Sequence, residues 1–240
     1  MNLVVCKNYV EMSQKAAVIA AESIGAAEER LISFPGGDTP LGMVEVFVSM
    51  VNNKAVDVSR TRFVQLDEWV GLGEHDKGSC AFFNRVNLLD KLQYPFLEVF
   101  LINGLASDIQ NECRGLNRFI ERFGPLDLSV LGIGLNGHLG FNEDGVDFDN
   151  DAFITPLSAT TKKVMGKYFD NTPQLEFGIT QGLKQIMAAK KVILIANGSH
   201  KASILKKVFT GPVTNAVPAS ILQRHNDCTV ITDTEAAREL

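Results

Sequence analysis

The sequence lacks the features of an extracellular, membrane-bound or nucleic-acid-binding protein. Only four cysteines occur among its 240 residues, with no C-x-x-C pair, which argues against a disulfide framework. No apolar run approaches the roughly 18 residues needed to span a bilayer, and the first residues lack the continuous apolar core of a secretion signal. A formal charge of -5 offers no basic surface for nucleic acid or an anionic membrane. We therefore expect a mature, soluble, cytoplasmic protein with reduced thiols and neither of those partners.

Spacings typical of metal and nucleotide sites are also missing. The four histidines, His75, His138, His200 and His225, are dispersed, and no H-x-x-x-H pattern brings two of them together. No glycine-rich loop continues into the Gly-Lys-Ser/Thr of a nucleotide-binding P-loop. We expect neither a metal ion nor a cofactor.

Short apolar runs alternate with helical periodicity along the whole chain. Strand-length runs occur at Leu3–Val5, Leu31–Phe34, Phe63–Leu66, Leu128–Leu131, Val192–Ala196 and Thr229–Thr232. Between them, spacing such as that of Leu41, Val44, Val48 and Val51 is typical of an amphipathic helix. Because several strands are apolar on both faces, this alternation predicts an α/β fold with an open, mostly parallel, doubly wound sheet flanked by helices.

We find no repeat or linker that divides the chain, so residues 1–240 are expected to form a single catalytic domain. The stretch from about 144 to 173 is polar and only weakly periodic. It is the best candidate for a mobile lid insertion.

A parallel sheet binds ligands at the carboxyl ends of its strands, so the residues that follow each strand are the functional candidates. The first such end is FPGGDTP, in which Gly36 and Gly37 lead to Thr39 and to Pro40 at the expected first helical position. Exposed amides at a helix start bind phosphate oxygens without a basic side chain. The alternative is an ordinary tight turn.

The second end is LDEWVGL, in which Asp67 and Glu68 follow a short predicted strand. Alternation along the chain should point one carboxylate into the crevice and the other away. The alternative is a solvated acidic turn.

The third end is GIGLNGHLGFNE, which places Asn136, His138 and Glu143 on a glycine-rich loop after a buried strand. Glu143 can hydrogen-bond one imidazole nitrogen and leave the other to handle a substrate proton. This pattern favours an acid-base pair over a purely structural histidine.

A fourth segment, NGSHKA, places Lys201 in the first turn of a predicted helix. A cation opposes the helix dipole there, so an anion bound beside it would explain its presence. The alternative is a solvated lysine.

Taken together, these four ordered motifs resemble those of the glucosamine-6-phosphate deaminase/6-phosphogluconolactonase superfamily, and in particular its deaminase-isomerase branch. The resemblance covers nearly the full length. It implies a Rossmann-like sheet, a small sugar-phosphate substrate, and either a monomer or a small homo-oligomer.

The resemblance also implies catalytic roles. Asp67 matches the base that moves a proton between C2 and C1 of the open-chain amino sugar, and His138 matches the group that opens the pyranose ring, with Glu143 as its partner. Asn136 stands where many deaminases have a third carboxylate. Either the pair therefore relies on Glu143 alone, or the amide fixes the orientation of the imidazole.

The remaining matched residues are implied to hold the 6-phosphate. They are the amides of Gly36, Gly37 and Thr39, the side chain of Lys201, and Lys167 at a position where the deaminases commonly have a lid arginine. A lysine is a point charge and should hold a phosphate less rigidly than a guanidinium.

Two other functions compete with deamination. One is a 6-phosphogluconolactonase, although its histidine motif usually continues into Leu-Phe-Pro where this chain has Phe-Asn-Glu. The other is a noncatalytic sugar-phosphate sensor, which normally carries a DNA-binding segment that we do not expect here. Among amino sugars, Trp69, the GHLG sequence and Asn136 together resemble the galactosamine-6-phosphate isomerase branch. This resemblance implies galactosamine 6-phosphate, with glucosamine 6-phosphate as a close alternative.

Overall fold

The computed structural model describes residues 1–24, 28–166, 169 and 173–240. The strands are β1 (Asn2–Cys6), β2 (Arg30–Ser33), β3 (Thr61–Val64), β4 (Asp67–Trp69), β5 (Glu98–Phe100), β6 (Leu128–Leu131), β7 (Phe153–Pro156), β8 (Phe177–Thr180), β9 (Lys191–Ala196) and β10 (Cys228–Asp233). The helices are α1 (Tyr9–Glu22), α2 (Asp38–Asn52), α3 (Cys80–Asn87), α4 (Ile109–Phe123), α5 (Ala159–Met165), α6 (Leu183–Met187), α7 (Ala202–Thr210) and α8 (Thr234–Ala237).

Seven strands form the main sheet, in the order β1-β10-β9-β6-β2-β3-β5. Every neighbouring pair in this order is parallel. The chain passes from β2 outward to β3 and β5, and then returns to β6 on the other side of β2 and continues outward to β9 and β10. This reversal makes the sheet doubly wound, so the α/β prediction is confirmed.

Both faces of the sheet are covered, because its central strands alternate between two apolar cores. Along β9, Val192 and Leu194 belong to the core beneath α4, α6 and α7, whereas Ile193 and Ile195 belong to the core beneath α1 and α2. All four of these side chains are fully buried. Burial on both faces explains why the strand reads as one apolar run.

The six strands expected from the sequence are present, and β6 has the predicted bounds. The expected strand Phe63–Leu66 was placed too late, because β3 ends at Val64. Asp67 and Glu68 do not follow a strand but lie within β4, which begins a second sheet. β5 is three residues long and largely exposed, so it lacks the apolar run that marks a buried strand.

The second sheet has the order β4-β8-β7 and is antiparallel. It fixes Asp67 opposite Thr180 of β8. A small apolar cluster that includes Trp69 and Phe141 packs beside this sheet, with the two ring centroids 4.5 Å apart. The second sheet therefore connects the acidic motif to the histidine loop.

The segment 144–173 contains β7 and α5, which the polar sequence pattern did not indicate. Its movement as a lid stays a prediction. None of the helices in the described ranges is long and apolar enough to cross a membrane.

Candidate active site

A cleft of about 420 Å³ opens at the carboxyl end of the main sheet. It lies where β2 and β6 are neighbours, which is the point at which the strand order reverses. Loops that diverge at such a point leave a crevice for a ligand. All four motifs contribute to its wall: the segment after β2, the acidic motif, the histidine loop and the lysine motif.

The loop after β2 presents Gly36, Gly37 and Thr39 to the cleft. The helix start was predicted two residues too late, because Gly37 is the N-cap and α2 begins at Asp38 rather than at Pro40. Gly37 has a φ of 103°, which a residue with a side chain rarely adopts. The Thr39 hydroxyl donates to Asn197 Oδ1 at 3.0 Å, and this bond ties the loop to the lysine motif.

Lys201 lines the same cleft. It ends the 3₁₀ helix Ser199–Lys201 immediately before α7, and so does not lie in the first turn of the predicted α-helix. Its Nζ donates to the carbonyl oxygen of Ile133 at 2.6 Å. Because Ile133 follows β6, this bond holds the ammonium group beside the start of the histidine loop. Lys167 lies outside the described residues.

Asp67 lies in the cleft wall with only 8% of its surface exposed. Burial raises the pKa of its carboxyl group to about 6, against the lowering effects of the Cys80 thiol and of His138. A Cβ atom at Gly140 would lie 3.3 Å from Asp67 Oδ2. The acidic motif and the histidine loop are therefore in direct contact.

Glu68 points away from the cleft and is fully buried, as alternation along the strand predicted. Its Oε1 accepts from the amides of Trp69 at 2.8 Å and Cys80 at 3.0 Å, and its Oε2 accepts from the amide of Ala81 at 2.7 Å and from Gln65 Nε2 at 3.0 Å. Burial raises its pKa to about 7, although these hydrogen bonds act to lower it. Glu68 thus joins β4 to the start of α3, and the alternative of a solvated acidic turn is wrong.

His138 and Glu143 form the expected pair, with 3.1 Å between His138 Nδ1 and Glu143 Oε2. Asn136 Nδ2 donates to the same carboxylate oxygen at 2.9 Å, and Asn136 Oδ1 accepts from the His138 amide at 3.3 Å. Burial acts to raise the pKa of Glu143, but the hydrogen bonds and the interaction with His138 outweigh it and lower that pKa to about 2.

Sequence reasoning missed two residues of the segment 144–173 that contact this pair. The Thr161 hydroxyl donates to Glu143 Oε1, and the Ser158 amide lies 3.4 Å from the same oxygen. A Ser-x-x-Thr sequence indicates a helix start, but nothing in it indicates a contact with a carboxylate fifteen or more residues earlier.

The described residues contain no group of three or more His, Cys, Asp or Glu side chains placed to hold a metal ion. The four cysteines are free thiols. The geometry brings together a half-buried imidazole with its carboxylate, a second carboxylate, and a glycine-containing loop at a helix start with a lysine. Groups of these kinds can transfer protons on a small anionic substrate.

Comparison with known proteins agrees with the family resemblance that the four motifs indicated. A profile of the family described as glucosamine-6-phosphate isomerases/6-phosphogluconolactonase matches residues 8–231. A glucosamine-6-phosphate deaminase of Clostridium perfringens (strain SM101 / Type A) is 38% identical over 242 residues, and both chains are covered completely. One of Clostridium botulinum (strain Hall / Type A) is 35% identical over 241 residues, covering 100% of this chain and 99% of the relative.

Solved structures give the same result. A monomeric glucosamine-6-phosphate deaminase matches with a TM-score of 0.95 and 30% identity over 100% of both chains. A 6-phosphogluconolactonase from Trypanosoma brucei has a TM-score of 0.78 at 17% identity, covering 100% of this chain and 98% of its own, and so shares the fold. The chain belongs to the glucosamine-6-phosphate isomerase/6-phosphogluconolactonase family.

Proposed function

We propose that this chain is an amino-sugar 6-phosphate deaminase that converts glucosamine 6-phosphate and water to fructose 6-phosphate and ammonia. The observation that carries the proposal is the His138–Glu143 pair in the same cleft as a second carboxylate, Asp67. Deamination requires two separate proton-transfer steps, and the cleft holds one group for each.

The first step is ring opening, which we assign to His138. The imidazole takes the proton of the C1 hydroxyl and delivers a proton to the ring oxygen, so that the C1–O5 bond breaks and a C1 carbonyl forms. Glu143 stays ionised and stabilises the imidazolium formed in between. Asn136 contacts both partners, which favours a role in orienting the imidazole over an acid-base role of its own.

The second step is a proton shuttle, which we assign to Asp67. The C1 carbonyl makes the C2 proton acidic, so a carboxylate within reach of both carbons can remove this proton and return it to C1, while the C2 ammonium group gives up one proton and the C1 oxygen takes one up to become a hydroxyl. The resulting C2 iminium takes up water and releases ammonia. A pKa of about 6 leaves Asp67 mostly ionised at neutral pH yet basic enough to accept a proton.

We propose that the 6-phosphate is held by the amides of Gly36, Gly37 and Thr39 with the ammonium group of Lys201. This placement is supported by the shared cleft and by the hydrogen bond from Thr39 to the lysine motif. Lys167 is proposed as a further cation that approaches when the segment 144–173 closes as a lid. Removal of Lys167 should then change KM and kcat together.

The choice of sugar rests on the relatives, which are named for glucosamine 6-phosphate. The expectation of galactosamine 6-phosphate rested partly on Trp69, which lines the cleft and also packs against Phe141. The two sugars differ only at C4, remote from the reacting carbons. Comparison of kcat/KM for the two phosphates tests the choice, and a preference for the galacto epimer beyond about tenfold would overturn it.

One assay separates the competing functions. Purified protein should release ammonia from glucosamine 6-phosphate, measured with a coupled glutamate dehydrogenase assay, and should not hydrolyse 6-phosphogluconolactone. Hydrolysis of the lactone without ammonia release would identify a lactonase, and substrate binding without turnover would identify a sensor.

We further propose a monomer or small homo-oligomer acting in the cytoplasm. The monomeric deaminase that matches this chain over its full length supports the smaller assembly. Light scattering on the purified protein measures its mass directly.

A further inference from the structure

The two oxygens of Glu143 are bound by different parts of the chain. Oε2 is bound by Asn136 and His138, which belong to the same loop as Glu143. Oε1 is bound by the hydroxyl of Thr161 on α5 and approached by the amide of Ser158 just before that helix. Two of the four hydrogen bonds to this carboxylate therefore come from the segment 144–173.

The Thr161 hydroxyl has a defined orientation. It is only 5% exposed, and it accepts from the Ser158 hydroxyl at 3.1 Å while donating its own proton to Glu143. A hydroxyl has one proton and two lone pairs, so the remaining lone pair is available to His138 Nδ1 at 3.2 Å.

This arrangement fixes the proton on the imidazole. Nδ1 faces two acceptors, the lone pair of Thr161 and the carboxylate oxygen of Glu143. A neutral imidazole whose Nδ1 faces two acceptors carries its proton on Nδ1 and leaves Nε2 as the base. If the Thr161 hydroxyl were removed, Glu143 would remain as the acceptor at Nδ1.

We infer that Thr161 is a positioning residue that holds the His138–Glu143 pair in its reactive form, so that ring opening requires α5 to be docked against the histidine loop. The inference rests on the proposed function. Thr161 lines the cleft, but its hydroxyl is engaged by Glu143 and His138, and in this inference it acts through them. The amide of the same residue donates a hydrogen bond to the Ser158 hydroxyl, which caps α5, so a purely structural role has to be separated from a positioning role.

The test compares Thr161→Val, Thr161→Ser and Thr155→Val. Valine keeps the shape of threonine and removes the hydroxyl, whereas serine keeps the hydroxyl. Thr155 is similarly buried, at 6%, and its hydroxyl contacts only a neighbouring carbonyl oxygen in the described contacts. It controls for the cost of burying valine in the same segment.

With glucosamine 6-phosphate, Thr161→Val should lower kcat about 10- to 100-fold with little change in KM. Thr161→Ser should recover most of this loss, and Thr155→Val should match the wild type. An analogue that lacks the hydroxyls at both C4 and C5 cannot close a pyranose or a furanose ring and stays open-chain, so the loss should be much smaller with it. Equal losses on both substrates, or no recovery with serine, would overturn the inference.

A second measurement does not depend on turnover. NMR titration should find the pKa of Glu143 about one pH unit higher in Thr161→Val, and the imidazole nitrogen shifts should show less of the Nδ1-protonated form. Unchanged values would overturn the inference even if kcat fell. If the wild type released no ammonia while these NMR shifts occurred, the proposed function alone would be wrong.

Discussion

Replacing Gly134 by alanine gives a direct steric test of the histidine geometry. A Cβ atom at Gly134 would lie 2.1 Å from Cδ2 and 2.2 Å from Nε2 of His138, whereas ordinary contact begins at 3.4 Å. The Gly134 amide donates to the His138 carbonyl at 3.0 Å, and its own carbonyl accepts from the Gly137 amide at 3.0 Å. Because the backbone is held at both groups, the imidazole has to move, by more than about 1 Å.

Such a movement separates the imidazole from Glu143, whose Oε2 now lies 3.1 Å from Nδ1. A misplacement of about 1 Å can cost about 100-fold in rate, so we expect kcat for glucosamine 6-phosphate to fall by that order. KM should change less, because the groups that we propose to bind the phosphate lie on other loops. The loss should be smaller with the open-chain analogue that lacks the C4 and C5 hydroxyls, which does not need ring opening.

Ammonia release measures kcat, and thermal unfolding checks that the variant is folded. Gly115→Ala is the matched control, because its Cβ atom would meet its nearest neighbour, Phe100, at 3.5 Å in ordinary contact. This control should keep wild-type activity. If Gly134→Ala kept wild-type kcat with the imidazole shifted, the assignment of ring opening to His138 would be refuted.

Three further predictions concern the base and the phosphate site. Asp67→Asn should abolish ammonia release and the exchange of the C2 proton with solvent, by about 10²- to 10⁴-fold, while equilibrium substrate binding survives; near-normal turnover would contradict this role. Since Asp67 acts as a base only when ionised and its pKa is about 6, kcat/KM should fall as the pH drops through about 6, whereas an acid limb centred near pH 4 would point to another group. Lys201→Ala should raise KM strongly and weaken inhibition by inorganic phosphate, and unchanged values for both would exclude Lys201 from the phosphate site.

The features that were predicted correctly share one property: the residues that indicate them lie close together in the sequence. The buried strand β6 has the expected bounds because four consecutive buried residues mark it. The His138–Glu143 contact was predicted because the two residues lie five positions apart on one glycine-rich loop.

The parts that were missed depend on contacts between distant segments. Asp67 lies in β4, a strand of three residues that is defined by its pairing with Thr180 of β8. Glu68 is stabilised by amides at the start of α3, twelve and thirteen residues further along. Thr161 reaches Glu143 only because α5 folds back over the histidine loop. Apolar periodicity reports burial and not which polar groups meet, so none of these contacts could be predicted from it.

The His138–Glu143 pair and Asp67 come from separate segments of the chain. Asn136, His138 and Glu143 occupy a single stretch of eight residues, whereas Asp67 comes from another strand, seventy-one positions before His138. A point mutation in one segment therefore changes one group directly, and the other group senses it through the interaction of His138 with Asp67. For evolution this separation matters, because a family with both isomerases and lactonases among its members can vary its chemistry one segment at a time.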